Sequence, residues 1–218
     1  MHVNNETGAI QPIEEIGRTV KAENPRILMH SDGVQAYGKL PYSAELWDVM
    51  DAYSLSAHKF HGPKGVGALL LRPQTRIEPL LAGGGQEQGV RSGTENVPGI
   101  VGMARAAWDA HREMDAYRSR LRSYKQQLIA GLREIEGVML HSPQESVANT
   151  LMLSIPPVPG EVLVNAFSDE GIAVSTGAAC SQRKHTHSHV LTAMGCSESV
   201  ADSSLRISMS RFTEEADV

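Results

Sequence analysis

The sequence is poor in cysteine and has no long apolar run, and both shortages exclude classes of protein. Its two cysteines in 218 residues, Cys180 and Cys196, are too few for the disulfide framework of a small secreted protein. No apolar stretch approaches the roughly 20 residues that cross a bilayer as a helix. Residues 1–6 lack the basic lead and the apolar stretch of a secretory signal peptide. These features predict a protein of a reducing compartment, the cytoplasm, without a membrane partner.

The chain also lacks a cluster of positive charge. Its formal net charge is −5, its pI is near 6.0, and its basic residues are scattered. We therefore do not expect nucleic acid as the main partner, because phosphate binding needs a clustered basic face. The composition that remains is 41% hydrophobic and 21% charged, which provides enough apolar material for one large domain or two small ones.

Helix-like and strand-like segments alternate in the first part of the chain. Apolar residues recur at helical spacing after Pro12, and short buried strands are expected at 27–29, 52–55 and 66–71. This alternation indicates an α/β sheet. Polar residues follow the first two strands, at the strand ends where such sheets bind their ligands.

A glycine-rich stretch and a long helix come next. Residues 82–95 are expected to form an exposed loop. After Pro98, apolar residues recur every three or four positions up to Gly137, which predicts one buried helix face: Met114, Tyr117, Leu121, Tyr124, Leu128 and Leu132. Strand, strand, helix and strand are then predicted at 138–140, 150–155, 162–167 and 172–174. We place a domain boundary inside the long helix, between 1–112 and 113–218.

Three polar residues follow neighbouring strands and suggest chemistry. Asp32 and Gln35 come after the first expected strand, and Lys59 comes after the second. A carboxylate and a lysine at adjacent strand ends can form a simple salt bridge. They can also bind pyridoxal phosphate (PLP), which needs a lysine for its aldehyde and an anion beside its ring nitrogen. In that second case Asp32 is a buried acid, and desolvation together with the cofactor's own chemistry keeps the lysine amine neutral and nucleophilic.

Five motifs resemble those of the cysteine desulfurases, in the class V aminotransferase group. One surrounds Lys59 and reads Ser-Ala-His-Lys-Phe-His-Gly-Pro-Lys-Gly at 56–65. The others are His-Val-Asn-Asn-Glu-Thr-Gly at 2–8, His-Ser-Asp-Gly-Val-Gln at 30–35, Arg-Ser-Gly-Thr-Glu-Asn at 91–96, and Ser-Thr-Gly-Ala-Ala-Cys at 175–180. They occur in the order of the family. The resemblance implies an incomplete PLP fold type I large domain over 1–112, with a mostly parallel sheet flanked by helices, and a smaller α+β domain over 113–218.

The resemblance also implies a role toward PLP for each matching residue. Lys59 would carry the cofactor and later move the Cα proton of the substrate. Asp32 would pair with the pyridine nitrogen, and Gln35 would hydrogen-bond the phenolic oxygen of the ring. Ser56 and His58 would hold the phosphate, which suits short donors at a strand end.

Four further residues are implicated by the same resemblance. Asn5 would face the cofactor and the substrate. Arg206 would bind the carboxylate of the substrate with its fork of donors, and Arg211 is the alternative for that role. Thr94 would reach the phosphate of the opposite subunit, which implies a homodimer.

Cys180 is the expected sulfur acceptor. A cysteine is more often a small buried hydrophobe, and this is our interpretation of Cys196. Cys180 differs because Arg183 and Lys184 follow it closely, and positive charge favours the reactive thiolate. In the resembling family this cysteine takes sulfur from L-cysteine as a persulfide while alanine is released. The length of its loop resembles the long-loop branch, which passes the sulfur to an acceptor protein such as an iron–sulfur scaffold.

Three histidines at alternate positions, His185, His187 and His189, follow this cysteine. On a strand they would share one face and could hold zinc or copper beside Cys180. On a loop they are a polar tract. We favour the polar tract and expect no metal.

The pattern departs from the family at both ends of the chain. The family's segment with a phosphate-cupping helix and a stacking histidine has no counterpart before residue 1, and its last helices have none after residue 218. We therefore expect a truncated chain that binds PLP weakly and has little activity on its own. Two alternatives stay open, a selenocysteine or cysteine lyase of the same fold and a non-catalytic fragment that acts as a binding module.

Overall fold

The computed structural model describes residues 1–177 and 188–218, which form two compact units. The first unit contains Met1–His2 and Gln11–Met114, and the second contains Val3–Ile10 and Asp115–Val218. From the sequence, residues 3–10 were expected to belong to the N-terminal part. In the structure they belong to the second unit, where Ala9 forms a β-bridge with Ser146.

The first unit is built on a three-stranded mixed sheet. Its strands are β1 (His30–Asp32), β2 (Ala52–Ser56) and β3 (Gly67–Leu71), in that order. β1 and β2 are parallel, whereas β2 and β3 are antiparallel. The α/β class is confirmed, but this sheet is mixed rather than mostly parallel. The reason is the short connection at 57–66, because a parallel pair needs a crossover of a dozen or more residues.

Two short helices and the start of a long one accompany this sheet. α1 (Ile13–Glu23) confirms the helix predicted after Pro12, and α2 (Ala44–Val49) was not predicted. α3 (Val97–Arg133) is the predicted long helix. It ends four residues before Gly137 (137 − 133), which instead adopts a positive φ of 85° in the turn that follows.

The strand predicted at 27–29 is wrong. Ile27 and Leu28 lie in a turn after α1 and are 44% and 62% exposed. The ammonium of Lys21 donates to the carbonyl of Ile27 at 2.7 Å and stabilises that turn. Pairing begins only at Met29, whose carbonyl accepts hydrogen bonds from the N–H groups of Asp51 and of Ala52, the first residue of β2. An apolar run of three residues does not distinguish a strand from a turn.

The core of the first unit consists of two apolar clusters, one that includes β2 and one that includes the turn after it. Tyr53 is fully buried and packs in a cluster with apolar residues of α1, α2 and the sheet: Ile13, Leu46, Val49, Met50 and Leu55. A second cluster joins the turn after β2 to α3, through Ala57, Phe60, Ala106 and Ala110. Burial of these side chains stabilises the unit and fixes the turn that carries Lys59.

The second unit contains an antiparallel sheet of β4 (Met139–Leu140), β5 (Thr150–Ser154) and β6 (Ser204–Ser208), in that order. Its short helices are α4 (Gly160–Asp169), α5 (His189–Ala193) and α6 (Glu198–Asp202). The strands predicted at 138–140 and 150–155 and the helix predicted at 162–167 are confirmed. The strand predicted at 172–174 is wrong, because these residues form no strand, and the pairing next to them is an isolated bridge between Ser175 and Arg206.

The last turns of α3 belong to the second unit and bury the face that was predicted. Tyr117 and Leu121 are 9% and 0% exposed, and the other apolar residues of the repeat are half-buried. Among residues 1–177 and 188–218, no helix is both long enough and apolar enough to cross a membrane.

Candidate active site

The carboxyl ends of β1 and β2 lie at one edge of the first sheet. The parallel register pairs Asp32, the last residue of β1, with Ser54, two residues before the end of β2. The imidazole Nε2 of His30 lies 2.7 Å from the hydroxyl of Ser54 and links the two strands. Residues that follow these strand ends therefore emerge at the same edge of the first unit.

Gly33 fixes the direction in which the chain leaves β1. A Cβ atom at this position would lie 1.8 Å from the ring of Tyr53, so the ring occupies the space that any side chain would need. The Tyr53 hydroxyl in turn lies 2.8 Å from Nδ1 of His2. Burial raises the pKa of Tyr53 to about 12 and lowers the pKa of His2, so both rings are held neutral at pH 7.

Asp32 ends β1, and Gln35 lies in the turn that follows Gly33. Oδ1 of Asp32 accepts a hydrogen bond from the main-chain N–H of Val34 at 2.8 Å. Oε1 of Gln35 accepts one from the ammonium of Lys39 at 2.5 Å. Asp32 is exposed, so the expectation that it is a buried acid is wrong for this chain. The burial of a residue at a strand end depends on what covers that edge of the sheet.

The turn after β2 presents Ser56, His58 and Lys59. Residues Ala57–Phe60 form a 3-10 helix in which Ala57 and Phe60, three positions apart, both face the core. His58 and Lys59 are consequently exposed, and the hydroxyl of Ser56 lies 2.8 Å from Nδ1 of His58. The structure thus joins the two residues predicted to hold phosphate. The expectation that burial desolvates the Lys59 amine is not met, because the same turn directs that amine to solvent.

Thr94 lies apart from this set of residues along the chain. It is exposed in the glycine-rich segment that precedes α3. The loop predicted over 82–95 is confirmed as largely exposed, with a short 3-10 helix at Gln86–Gly89.

Asn5 and Arg206 meet in the second unit. Nη1 of Arg206 donates a hydrogen bond to the main-chain carbonyl of Asn5 at 3.0 Å. The backbone of Arg206 also bridges to Ser175, with its N–H donating at 2.6 Å. Arg211, the alternative residue, places its guanidinium over the ring of Phe212 at 4.9 Å. The structure therefore places the guanidinium of Arg206 against the backbone of Asn5.

Cys180, His185 and His187 lie outside the described residues. His189 is described, and its side chain is 81% exposed at the start of α5. Residues 1–177 and 188–218 contain no group of three or more His, Cys, Asp or Glu side chains that could hold a metal ion. Cys196 is half-buried against the cluster of Met152, Leu191 and Ala201, and its Sγ lies 4.0 Å from Nδ1 of His141.

Glu6 and Lys125 are buried charged residues that were not predicted from the sequence. Glu6 is 1% exposed although it belongs to the Asn-Asn-Glu motif that was noticed. Lys125 is 7% exposed and donates to Oγ of Ser146 at 2.7 Å and to the carbonyl of Val147 at 3.0 Å. Burial lowers the pKa of Lys125 to about 8. The burial of Lys125 could have been predicted from its position, because it lies four residues after Leu121 on the buried face of α3.

Comparisons with known proteins agree with the resemblance. The family described as aminotransferase class V matches residues 1–218. The cysteine desulfurase IscS of Anaeromyxobacter dehalogenans (strain 2CP-C) is 45% identical over 222 residues, which cover 100% of this chain and 54% of that protein. The chain thus spans about half the length of this relative.

Solved structures show the same fold. A NifS-like protein superposes with a TM-score of 0.90 at 43% identity, covering 100% of this chain and 56% of that one. The NifS-like protein from Rickettsia africae has a TM-score of 0.89 at 33% identity, covering 99% and 57%. The expected membership of the PLP fold type I group is therefore confirmed. Taken with the family match over residues 1–218, these likenesses establish that the chain belongs to the class V aminotransferase family.

Proposed function

We propose that the protein is a cysteine desulfurase. It would transfer the sulfur of L-cysteine to the thiol of Cys180, so that L-cysteine becomes L-alanine and the thiol becomes a persulfide. The carbon–sulfur bond of the substrate breaks, a sulfur–sulfur bond forms on Cys180, and hydrogen replaces sulfur on the alanine carbon. The observation that carries this proposal is the parallel pairing of β1 and β2, which puts Asp32 and the turn with Lys59 at one sheet edge.

The residues at this edge have the donor set that PLP needs. Lys59 supplies a primary amine for the aldehyde, and Asp32 supplies a carboxylate for the ring nitrogen. Ser56 and His58 supply a hydroxyl and an imidazole to the phosphate, and Gln35 supplies an amide to the phenolic oxygen. When bound, PLP supplies an electron sink that stabilises negative charge at the substrate Cα. The amine of Lys59 would then move the proton at Cα.

Substrate binding is assigned to the second unit. We propose that the guanidinium of Arg206 binds the carboxylate of L-cysteine, since a planar fork of donors suits a carboxylate. Its existing bond to the carbonyl of Asn5 holds the guanidinium in place. Asn5 would contact the cofactor and the substrate. Thr94 would contact the phosphate bound by a second copy of the chain, so the working form would be a homodimer.

The persulfide on Cys180 would be passed to an acceptor protein, such as an iron–sulfur scaffold. A persulfide survives in a reducing compartment when it is transferred promptly, and we propose the cytoplasm as that compartment. In this scheme residues 1–112 act as part of the cofactor-binding domain. Residues 113–218 act as part of a small domain that carries Cys180.

A second candidate function is favoured by the exposure of Asp32 and Lys59. A chain whose cofactor residues are open to solvent could serve as a non-catalytic binding module. The two functions differ in chemistry. Only the desulfurase binds PLP and releases alanine from L-cysteine.

Alanine release and persulfide formation test the proposal directly. The purified protein is incubated with PLP and L-cysteine, and alanine and protein-bound sulfur are measured. We expect one persulfide on Cys180 for each alanine in the first turnover. Cys180→Ser should abolish the persulfide, and Cys196→Ser is the matched control that should retain it. Alanine without any persulfide would indicate a lyase, and the absence of alanine together with the absence of PLP binding would indicate a binding module.

A further inference from the structure

The carboxylate of Glu6 lies against both ends of the segment between Gly177 and Ser188. Glu6 is 1% exposed, and its Oε2 accepts a short hydrogen bond from the hydroxyl of Ser188. A Cβ atom built on Gly177 would lie 3.2 Å from the same oxygen, so the backbone of Gly177 approaches it closely. One buried carboxylate therefore hydrogen-bonds the first described residue after this segment and fills the space beside the last described residue before it.

Ser188 ties this contact to the core of the second unit. Its hydroxyl donates to Glu6 and also accepts from the main-chain N–H of Leu191 at 3.1 Å, which caps α5. Leu191 is fully buried in a cluster with Met152 and Ala201. The hydroxyl thus couples the carboxylate to a helix whose position is set by apolar packing.

The other end is tied in a similar way. Ser175 pairs with Arg206 of β6, and the chain then reaches Gly177, which adopts a left-handed φ of 57°. This region is favourable for glycine and costly for other residues. The close approach of Glu6 to Gly177 depends on both features, because a side chain would be strained in φ and would crowd the carboxylate.

Glu6 itself is held by a rigid turn. Oδ1 of Asn4 accepts hydrogen bonds from the main-chain N–H groups of Glu6 and Thr7, both at 2.9 Å. The carbonyl of Gly8 accepts from the N–H of Val147 at 3.0 Å and fixes the end of this turn. The turn that holds Glu6 also carries Asn5, whose carbonyl binds Arg206.

We propose that Glu6 is a positioning residue for sulfur transfer. It holds Gly177 and Ser188 in place, and so fixes the two ends of the segment that carries Cys180. This inference rests on the proposed function. It assigns Glu6 a task that differs from cofactor binding, because all of its contacts described above are to the turn 4–8 and to the ends of that segment.

Hydrogen exchange at the two ends tests this role without any catalytic readout. In Glu6→Ala, the exchange rates of the Gly177 and Leu191 amides should rise about tenfold, as expected for the loss of a hydrogen bond to a charged group. Glu6→Gln keeps an acceptor of the same size and should exchange at a rate closer to wild type. If both ends exchange in Glu6→Ala as they do in wild type, the proposal is wrong.

A matched control separates this effect from ordinary helix capping. Ser43 has the same arrangement at the start of α2, where its hydroxyl donates to Glu14 at 2.6 Å and accepts from the N–H of Leu46 at 3.2 Å. Ser188→Ala should speed exchange at Gly177 as well as at Leu191. Ser43→Ala should change neither amide. If Ser188→Ala affects Leu191 alone, Ser188 is only a cap and the proposal is overturned.

The reactivity of Cys180 completes the test. Iodoacetamide should alkylate Cys180 faster in Glu6→Ala than in wild type, while alkylation of Cys196 should be unchanged. An unchanged or slower reaction of Cys180 would contradict the proposal. If wild type forms no persulfide at all, the desulfurase assignment fails, but the exchange and alkylation rates still decide whether Glu6 holds the segment of Cys180.

Discussion

Arg206 donates a hydrogen bond from Nη1 to the main-chain carbonyl of Asn5, across 201 positions of sequence. Arg206 is half-buried, and its backbone is fixed by pairing with Ser175. These contacts leave the side chain with little rotamer freedom to lose when it binds a carboxylate, and such preorganisation strengthens binding. Arg211 has a different environment, over the ring of Phe212.

The first prediction concerns this pair of arginines. Arg206→Ala should raise the KM for L-cysteine about 10- to 100-fold, from the loss of a charge-assisted hydrogen bond of about 1.5–3 kcal/mol. Arg206→Lys should recover only part of this, since an ammonium lacks the planar fork. Steady-state alanine release gives both values. Arg211→Ala is the control, and an equal rise in KM there would contradict the assignment.

The second prediction concerns the phosphate. Ser56 and His58 hydrogen-bond each other, so their contributions to PLP affinity should not be additive. Ser56→Ala and His58→Ala should each weaken PLP binding, and the double variant should lose less than the sum, with a coupling energy of about 0.5–3 kcal/mol. Wild type, the two single variants and the double variant are each titrated with PLP, and their four affinities give the coupling energy. Strictly additive losses would show that the two side chains act independently.

The third prediction follows from the buried amine of Lys125. Burial lowers its pKa to about 8 in the folded protein, from 10.5 in the unfolded chain. Between these two pH values the unfolded chain binds more protons, so the free energy of unfolding should rise as the pH rises from about 8 to about 10.5. Lys125→Met should remove this rise.

Denaturant unfolding at several pH values measures this effect as a difference from wild type. The exposed Lys64 provides the control, because Lys64→Met should leave the pH dependence as in wild type. A pH profile of Lys125→Met that is parallel to that of wild type would mean that the amine is not desolvated.

The fourth prediction concerns two glycines. A Cβ atom on Gly33 would overlap the Tyr53 ring, so Gly33→Ala should destabilise the first unit by about 1–3 kcal/mol. Gly131 lies inside α3 with nothing within 4 Å of an added Cβ. Gly131→Ala should stabilise the protein by about 0.5–1 kcal/mol, because glycine is costly within a helix. Urea unfolding gives both values, and equal effects would refute the close contact of Gly33 with Tyr53.

Local sequence patterns predicted those elements that depend on local spacing. Apolar periodicity located α3 and its buried face at Tyr117 and Leu121, and it also located β2 and β5. It failed at Ile27, where a hydrogen bond from Lys21, six residues earlier in the chain, holds a turn. The short connection between β2 and β3 is information in the sequence that indicates an antiparallel pair, although a mostly parallel sheet was expected.

The candidate site, too, was only partly predictable from local sequence. Motifs identified Asp32, Ser56, His58 and Lys59 because their order along the chain is local information. Their exposure was not predictable, since it depends on which elements cover the sheet edge. Glu6 was missed for a related reason, because its burial involves a partner far along the chain, Ser188. Lys125 was missed although its position on the buried face of α3 was local information.

The central claim is that Lys59 holds PLP at the edge formed by β1 and β2. The most direct measurement is to incubate the protein with PLP, reduce it with borohydride, digest it, and identify by mass spectrometry which lysine carries the pyridoxyl group. We predict that the group is found on Lys59 and that Lys59→Arg abolishes it. Labelling of the exposed Lys64 to the same extent, or labelling that persists in Lys59→Arg, would contradict the account.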